Sequence, residues 1–411
     1  MVKDVTLIVL AAGAGKRFWP FTTSKALFPF LGNPLFAHTI GDAPVSNMII
    51  VTNPQNDNLI RSYHFPISTA TVVQKEPRGM ADAILSAKSA ISGPILIINA
   101  DDVVDPDLLS RVVNTGKFGA IPGIKRRGPF GYIQFEGDRP VGIVEKPAAG
   151  SEPSEYVDIV CHYISDGSLL ISEIEKIKSV GDDVYEKALT NLMAYEQFAF
   201  IPYDGPFAPL KYPWHVLDVM QTLKINKYTG KNVIIKSNVL LEGPVYIGDN
   251  VKIFEHTKIV GPCYIGKNSV IGNNCIIRGS HIGANSVIGF NSDITRSYIG
   301  DLCWTHNNYI GDSVLEGNIS LGSGACLANL RLDDGEIKGT GRNKLGAMIG
   351  KGVRIGVNAS IMPGVKIGKN SFIGSGVILD KDLPEDSFCV AKPGYVTVKN
   401  NKIAPARKPF V

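Results

Sequence analysis

Isoleucine or leucine recurs at every sixth position from Ile235 through Leu241, Ile247, Ile253, Ile259, Ile265 and Ile271 to Ile277. The same period returns from Ile349 through Ile355, Ile361, Ile367 and Ile373 to Leu379. Four residues after most of these stands a small or β-branched residue: Val239, Val245, Val251, Thr257, Cys263, Ser269, Cys275. A step of six fits neither a helix of ~3.6 residues per turn nor the alternation of an ordinary strand. It predicts a parallel β-helix, in which three short strands make one coil and each coil stacks on the last. The repeated aliphatic fills the narrow core and the small residue packs at the turn. Pairs such as Gly248-Asp249 and Gly266-Lys267 turn the corners. The period predicts architecture, not catalysis.

Residues 1 to about 205 carry a different pattern. Apolar runs at Thr6–Leu10, Met48–Thr52, Thr71–Val73, Ile95–Asn99 and Phe118–Ile121 alternate with helix-like segments such as Met80–Ala90. That alternation predicts a mostly parallel sheet with helices on both faces. A segment of helical spacing, Trp214–Tyr228, then leads to Gly230-Lys231 and the first coil near Val233. The reading is an α/β domain over 1–229 and an all-β β-helix over 230–411. The six-residue period lapses between about Ile299 and Ala347, where Asn329–Asn343 reads as a polar excursion. Loops thrown out of a repeat scaffold are where function concentrates.

Length and charge narrow the classes. At 411 residues the chain has room for two cores. Its 42 basic and 38 acidic residues are spread along the chain and leave a formal net charge of +4. That balance, with no dense basic run except around Arg407 and Lys408, argues against a nucleic-acid partner. Cys161, Cys263, Cys275, Cys303, Cys326 and Cys389 form no C-x-x-C pair and no metal spacing. They read as reduced packing residues of a cytoplasmic protein. The apolar run Val5–Ala12 is too short for a signal peptide or a membrane span.

Candidate chemistry begins directly after the first strand, in Leu10-Ala11-Ala12-Gly13-Ala14-Gly15-Lys16-Arg17-Phe18-Trp19-Pro20. Glycines there let backbone N–H groups approach phosphate oxygens, and Lys16 and Arg17 add charge. The segment resembles the signature loop of sugar-1-phosphate nucleotidyltransferases, L-A-x-G-x-G-x-R-[LF]-x-P. The resemblance continues in order. Lys25, in Ser-Lys-Ala-Leu-Phe-Pro, matches a lysine that contacts phosphate, and Gln74 with Gly79 matches the segment that reads the nucleobase. Asp101 stands where the family's strand-end aspartate coordinates Mg2+. Gly131 matches a Y-G-x-[IV] motif, and Glu145-Lys146-Pro147 matches E-K-P, where Glu holds sugar hydroxyls and Lys the sugar phosphate. Three positions depart from the pattern. Thr22–Lys25 is two residues shorter than T-x-x-x-P-K, Asp158-Ile159-Val160 replaces N-[AT]-G, and the second metal aspartate falls at Ala208-Pro209, with Asp204 and Asp218 nearby but off register.

The six-residue repeat resembles the left-handed β-helix of hexapeptide acyltransferases, which are trimers with acyl-CoA in clefts between coils. Within the lapse of the repeat, Trp304–Asp312 resembles the H-x-x-Y-[LIV]-G-D segment of glucosamine-1-phosphate acetyltransferases. Leu327–Arg331 resembles their asparagine loop, and Gly341–Gly350 resembles the G-R-x-K-L-G-A-x-I-G of archaeal-type bifunctional members. The resemblance implies His306 as general base, an imidazole titrating near neutral pH. It implies Tyr309 and Asn329 as groups orienting the sugar, Lys344 at the phosphate or acetyl site, and Arg278 on the sugar phosphate. CoA-facing backbone would come from coils around Ala347. The family's lysine before the histidine loop is replaced by Thr295-Arg296.

Taken whole, the chain resembles the archaeal-type bifunctional N-acetylglucosamine-1-phosphate uridylyltransferase/glucosamine-1-phosphate acetyltransferase family. That implies a homotrimer using acetyl-CoA, UTP and Mg2+, with no membrane partner. Two alternatives fit part of the pattern. One is an acetyltransferase with a degenerate nucleotidyltransferase domain; the other is a glucose- or mannose-1-phosphate nucleotidyltransferase with a purely structural β-helix.

Overall fold

The computed structural model describes residues 4–41, 43–178, 183–392 and 399; the basic pair Arg407 and Lys408 lies outside the described residues. In the α/β part, Thr6–Leu10 lies between Asn47–Thr52 and Ile95–Asn99, parallel to both, and Ser68–Val73 extends the parallel edge. Beyond Ile95–Asn99 the sheet turns antiparallel, through Cys161–Ile164, Gly119–Lys125, Tyr156–Asp158, Gly131–Glu136 and Arg139–Glu145. Phe198–Tyr203 adds parallel to Gly119–Lys125 and completes ten strands. The expected mostly parallel sheet is therefore a mixed one. A hairpin such as the one turning at Gly137-Asp138 needs only two residues, so strands can follow one another without the helical crossover a parallel pair requires. Both faces are buried, one under Leu108, Leu109 and Val112, the other under Leu170, Leu189 and Leu192. The Met80–Ala90 helix is α-helical to Ser86 and ends in a 3-10 turn at Lys88–Ala90.

The second part is a left-handed parallel β-helix whose three faces are parallel sheets of eight, nine and eight strands. The period-six aliphatics point inward and stack rung on rung: Ile253, Ile271 and Ile288 are aligned and buried. At the open first coil Ile235 and Leu241 stay exposed, because no coil lies beneath them. The corners work differently from the simple Gly-x turn. Asn232, Asn250, Asn268 and Asn285 take the left-handed conformation, with φ from 55 to 62°. Their amides form a ladder, each Nδ2 donating to the next Oδ1 at 2.9–3.1 Å. Asparagine tolerates this backbone and here gains a partner for its side chain. Gly248 and Gly266 serve another need. A Cβ on either would stand 2.5–2.6 Å from a backbone nitrogen of the coil above.

The repeat does not lapse where its period does. Coils continue through Trp304–Thr305, Tyr309–Gly311, Val314–Leu315, Ser320–Leu321 and Cys326–Leu327. They shorten instead: Ile277 aligns with Ile294 and Ile294 with Ile310, so coils of eighteen residues become seventeen and then sixteen. Among the described residues only the segment between Ala328 and Ala347 leaves the scaffold, before Leu327 pairs with Ile361. The helix expected over Trp214–Tyr228 is also shorter, His215–Thr222, because Tyr228 is drawn into the first coil to stack on Tyr246.

Tyr228 opens a ring ladder down one β-helix face, through Tyr246, Tyr264 and His281 to Tyr298, with centroids 4.5–4.9 Å apart. The α/β part docks on its end. Phe28 and Phe30 pack on Tyr298, whose hydroxyl donates to the Pro29 carbonyl, and Leu31 N–H donates to His281 Nε2. Accepting at Nε2 fixes the neutral tautomer with the proton on Nδ1, which faces the Ile299 carbonyl. Burial pushes the His281 pKa down to about 4. The unfolded chain takes up this proton as pH falls through ~6.5, whereas the folded chain refuses it until about 4. Stability is therefore full above the first value and lost between the two, by up to roughly 3 kcal/mol at ~1.36 kcal/mol per unit. Urea unfolding from pH 7 to 4.5 should show a steeper loss for the wild type than for His281→Phe. Parallel curves would contradict this.

Candidate active sites

The glycine-rich segment leaves Thr6–Leu10 at its carboxyl end and lines a cavity of about 660 Å³. Parallel α/β sheets place ligands at this end of their strands. Gly15 sits at φ 63° and opens the 3-10 turn Lys16–Phe18. A Cβ on Gly13 or Gly15 would meet nothing within 4 Å, so the loop backbone faces open space. Two buried asparagines, missed in the sequence, brace it from behind. Asn53 donates to the Ala12 carbonyl at 3.1 Å and Asn56 to the Ala11 carbonyl at 2.8 Å. Arg17 lines the cavity and leans over the Tyr212 ring. Gln74 is buried and donates to Asp82 at 2.7 Å and to the Gly79 carbonyl at 3.3 Å, where Gly79, at φ 103°, begins the helix Met80–Ser86.

Asp101 and Asp102 form the floor. The Lys25 ammonium pairs with Asp101 Oδ2. Asp102 is pushed up to about 6 by burial and by the Asp101 carboxylate beside it, although Asn99 donates to it at 3.0 Å. Across from this pair runs Ala208–Pro209, with Pro209 opposite Asp102 and Leu210 N–H on the Asp101 carbonyl at 2.8 Å. The next residue, Lys211, lines the same cavity with its Nζ 4.1 Å from the centre of the Phe130 ring. Burial lowers its pKa, opposed first by Asp102 and more weakly by Glu145 and Asp101. Its sequence signal was only that it follows the position of the missing aspartate. Asp218 is committed elsewhere, to Arg342.

Gly131, Glu145 and Lys146 form a group adjoining the cavity rather than lining it. Gly131 pairs with Glu145, and a Cβ there would stand 3.0 Å from Glu145 Oε2 and 3.8 Å from Asp158 Cβ. Lys146 pairs with Glu145. His162 fixes Asp158, bridging it to the Tyr185 hydroxyl at 2.9 and 2.8 Å.

On the β-helix, four side chains join in one network. Tyr309 donates to Asn329 Oδ1 at 3.1 Å, Asn329 donates to Asp312, and Arg296 grips both Asp312 oxygens at 2.6 and 2.7 Å. Burial, then the Asp293 and Asp312 carboxylates, push the Tyr309 phenol up. His306 stands one strand earlier, at the corner before Tyr309–Gly311, with its backbone fixed by Asn308 Oδ1 at 2.8 Å and Ser292 Oγ at 2.6 Å. Its imidazole is exposed and makes no hydrogen bond among the described residues. Arg278 lies two coils below Tyr309's and is held by Asp293 at 2.7 and 2.9 Å. Lys344 is exposed on the excursion, paired through its backbone with Leu330. Ala347 is buried, its N–H on Ser313 Oγ and its carbonyl receiving Val314 N–H. A single chain thus gathers Tyr309, Asn329 and Arg296, and leaves His306, Lys344 and Arg278 outside their network.

The two regions touch. Glu316, which sequence reading passed over, accepts from Thr22 N–H, the Thr22 hydroxyl, Thr23 N–H and Lys351 N–H, pinning the loop before Lys25 to the β-helix. Arg342, two residues before Lys344, holds Asp218 on the helix that follows Lys211.

Comparison with known proteins follows the same division. The nucleotidyl transferase family profile matches residues 6–203, and the bacterial transferase hexapeptide profile of six repeats matches 244–279 and 346–381. A bifunctional sugar-1-phosphate nucleotidylyltransferase/acetyltransferase of Sulfurisphaera tokodaii is 31% identical over 379 residues, 86% of this chain and 92% of that protein. The chain belongs to this family of bifunctional transferases. Proteins named bifunctional protein GlmU from Methanococcus maripaludis and Methanocaldococcus jannaschii are 29% and 27% identical, over 95% and 93% of this chain and 98% and 96% of their own lengths. It is accordingly a transferase with a nucleotidyltransferase part and a hexapeptide acetyltransferase part. Neither single-activity reading fits better, since these matches span both parts. No helix among the described residues is long and apolar enough to cross a membrane.

Proposed function

We propose that the enzyme acetylates glucosamine-1-phosphate with acetyl-CoA on the β-helix and couples the product to UTP in the α/β cavity. The observation that carries this is the pairing, in one chain, of a cation-lined cavity with an exposed imidazole, His306, three residues before Tyr309 of the Tyr309–Asn329–Asp312–Arg296 network. At the β-helix, His306 takes the ammonium proton, the amine nitrogen attacks the thioester carbon, and the C–S bond breaks to give CoA, which recovers a proton. Tyr309 and Asn329 orient the sugar, Arg278 and Lys344 meet its phosphate, and CoA lies along the coils near Ala347.

In the cavity, a phosphate oxygen of the acetylated sugar attacks the α-phosphorus of UTP and the bond to pyrophosphate breaks. Both reactants are anions, so catalysis is neutralisation and alignment. The loop N–H groups around Gly13 and Gly15, with Arg17 and Lys25, face the triphosphate. Gln74 and Gly79 meet the base, Gly131 and Glu145 the sugar, and Lys146 its phosphate. Asp101, with Asp102 adjacent, suits Mg2+, which commonly takes one or two carboxylates and completes its shell with phosphates and water. Bound there it would neutralise and orient those phosphates, while Lys25 exchanges Asp101 for phosphate.

Exposed Trp304 and Phe372 on one outer sheet and Ile378 on the other, at 56, 50 and 73% exposure, favour a homotrimer through the β-helix. Native mass should be three times 44.3 kDa; an active monomer would refute the trimer. The two reactions are separable with labelled acetyl-CoA and UTP on glucosamine-1-phosphate. The expected result is CoA release first, then pyrophosphate and UDP-N-acetylglucosamine. No CoA release overturns the first half. No pyrophosphate with any nucleoside triphosphate overturns the second.

A further inference from the structure

The geometry points to Lys211 as a resident cation at the Asp101–Asp102 pair, one that binds the triphosphate of the nucleotide directly and lets the cavity take it up without a divalent ion. This rests on the nucleotidyl-transfer reading and adds a binding group to it. The cavity lining carries five cations, Lys16, Arg17, Lys25, Arg78 and Lys211, against two carboxylates, Asp101 and Asp102. Four of the cations sit on the glycine-rich segment, the loop after it and the Pro77–Gly79 turn. Lys211 comes from a different segment, the one that pairs with Asp102-Val103, and Arg17 reaches towards it over the neighbouring Tyr212 ring. Its position is built rather than accidental. Pro209 and Leu210 are tied to the backbone of Asp102 and Asp101, Lys211 N–H is held by the Pro209 carbonyl at 3.1 Å and by His215 Nδ1 at 3.2 Å, and the ammonium rests on the Phe130 ring.

Charge placement explains why an ammonium here would matter. Lys25 neutralises Asp101, so the pair presents about one net negative charge to the cavity, and Lys211 lines that cavity within the reach of the Asp102 charge. No cluster of three or more metal-capable side chains exists among the described residues. A divalent ion would therefore hold the floor through few protein ligands, and a triphosphate entering alone would meet a surplus of fixed positive charge. A fixed ammonium contributes a charge-assisted contact to the bound phosphate whether or not a metal is present.

The test is binding, measured by titration calorimetry on the full chain, with UTP and with inorganic tripolyphosphate as probes, in EDTA and in Mg2+. The wild type should bind both probes in EDTA, UTP within about tenfold of its affinity in Mg2+. Lys211→Met should lose about tenfold or more in EDTA and less in Mg2+, consistent with removing one charge-assisted contact. Lys211→Arg, which keeps the charge, should stay within a few-fold of wild type, and matched melting curves show that the methionine variant is folded. The inference is overturned if the wild type binds only with Mg2+, if Lys211→Met matches wild type in EDTA, or if Lys211→Arg falls with Lys211→Met. If UTP and every other nucleoside triphosphate fail to bind in Mg2+ as well, the nucleotidyl-transfer reading falls with it; a flat result for Lys211 alone leaves that reading standing.

Discussion

His306→Ala should lower acetyl transfer by about 10²–10⁴, the range for loss of a general base, while UDP-sugar synthesis from preformed N-acetylglucosamine-1-phosphate continues at the wild-type rate. In free-energy terms that is roughly 3–5 kcal/mol of barrier. The substitution is clean because the His306 side chain is exposed, whereas the hydrogen bonds that shape its corner come from backbone atoms: N–H to Asn308 and carbonyl from Ser292. An alanine keeps both. The rival candidate in reach is the Tyr309 phenol, but it is already donating to Asn329 and its pKa is raised, so it is a poor acceptor of the ammonium proton near neutrality. A second readout separates a base from a merely binding imidazole. The loss should fall on kcat, with KM for glucosamine-1-phosphate within a few-fold of wild type. Near-wild-type acetyl transfer, or a loss carried by KM alone, would take the role of base away from His306.

How much of this was readable beforehand depends on what each feature rests on. The β-helix was legible because its core is one residue wide: every sixth position must be aliphatic, and Ile247 to Ile277 satisfy this without exception. The corner chemistry was partly hidden. Gly248-Asp249 looked like the turn, yet the left-handed residue is Asn250, and Gly248 is small because the next coil's backbone approaches it. The lapse of period after Ile299 read as a break in the run of coils. It is a shortening of corners that keeps every inward residue buried, which a fixed-step count cannot follow. In the α/β part the apolar runs marked Thr6–Leu10, Met48–Thr52, Thr71–Val73 and Ile95–Asn99, whereas Cys161–Ile164, buried along its length, and Gly131–Glu136, which pair antiparallel, were not marked, and a strand's apolar pattern does not reveal its direction. The site divided similarly. Motif residues next to glycines or at strand ends were visible. Glu316, Asn53 and Asn56 were not, because each acts through backbone atoms far away in sequence.

Asp101→Ala should cut UDP-sugar synthesis by at least about 10²-fold at any Mg2+ concentration, as expected from losing several kcal/mol of metal-borne charge stabilisation, and leave acetyl transfer intact. No neighbour can replace it. Pro209 occupies the facing strand position, Asp218 is bound to Arg342, and Asp102, half-buried at the cavity floor, has its pKa pushed up to about 6 by desolvation and by Asp101. Alanine also releases Lys25 from its ion pair, so the floor becomes more positive. This gives the experiment its discriminating arm. A residue that only anchored the nucleotide would weaken UTP binding when removed, whereas removing Asp101 leaves the Lys25 ammonium free for the triphosphate in the absence of metal. UTP affinity in EDTA should therefore hold or improve in Asp101→Ala even as turnover collapses, and the Mg2+ dependence of UTP affinity should flatten. Retention of more than a tenth of wild-type turnover would move the metal to Asp102. Weaker UTP binding in EDTA would mean that the carboxylate orders Lys25 for phosphate, and that the Lys25–Asp101 pair, rather than a metal, is what the reaction requires of this position.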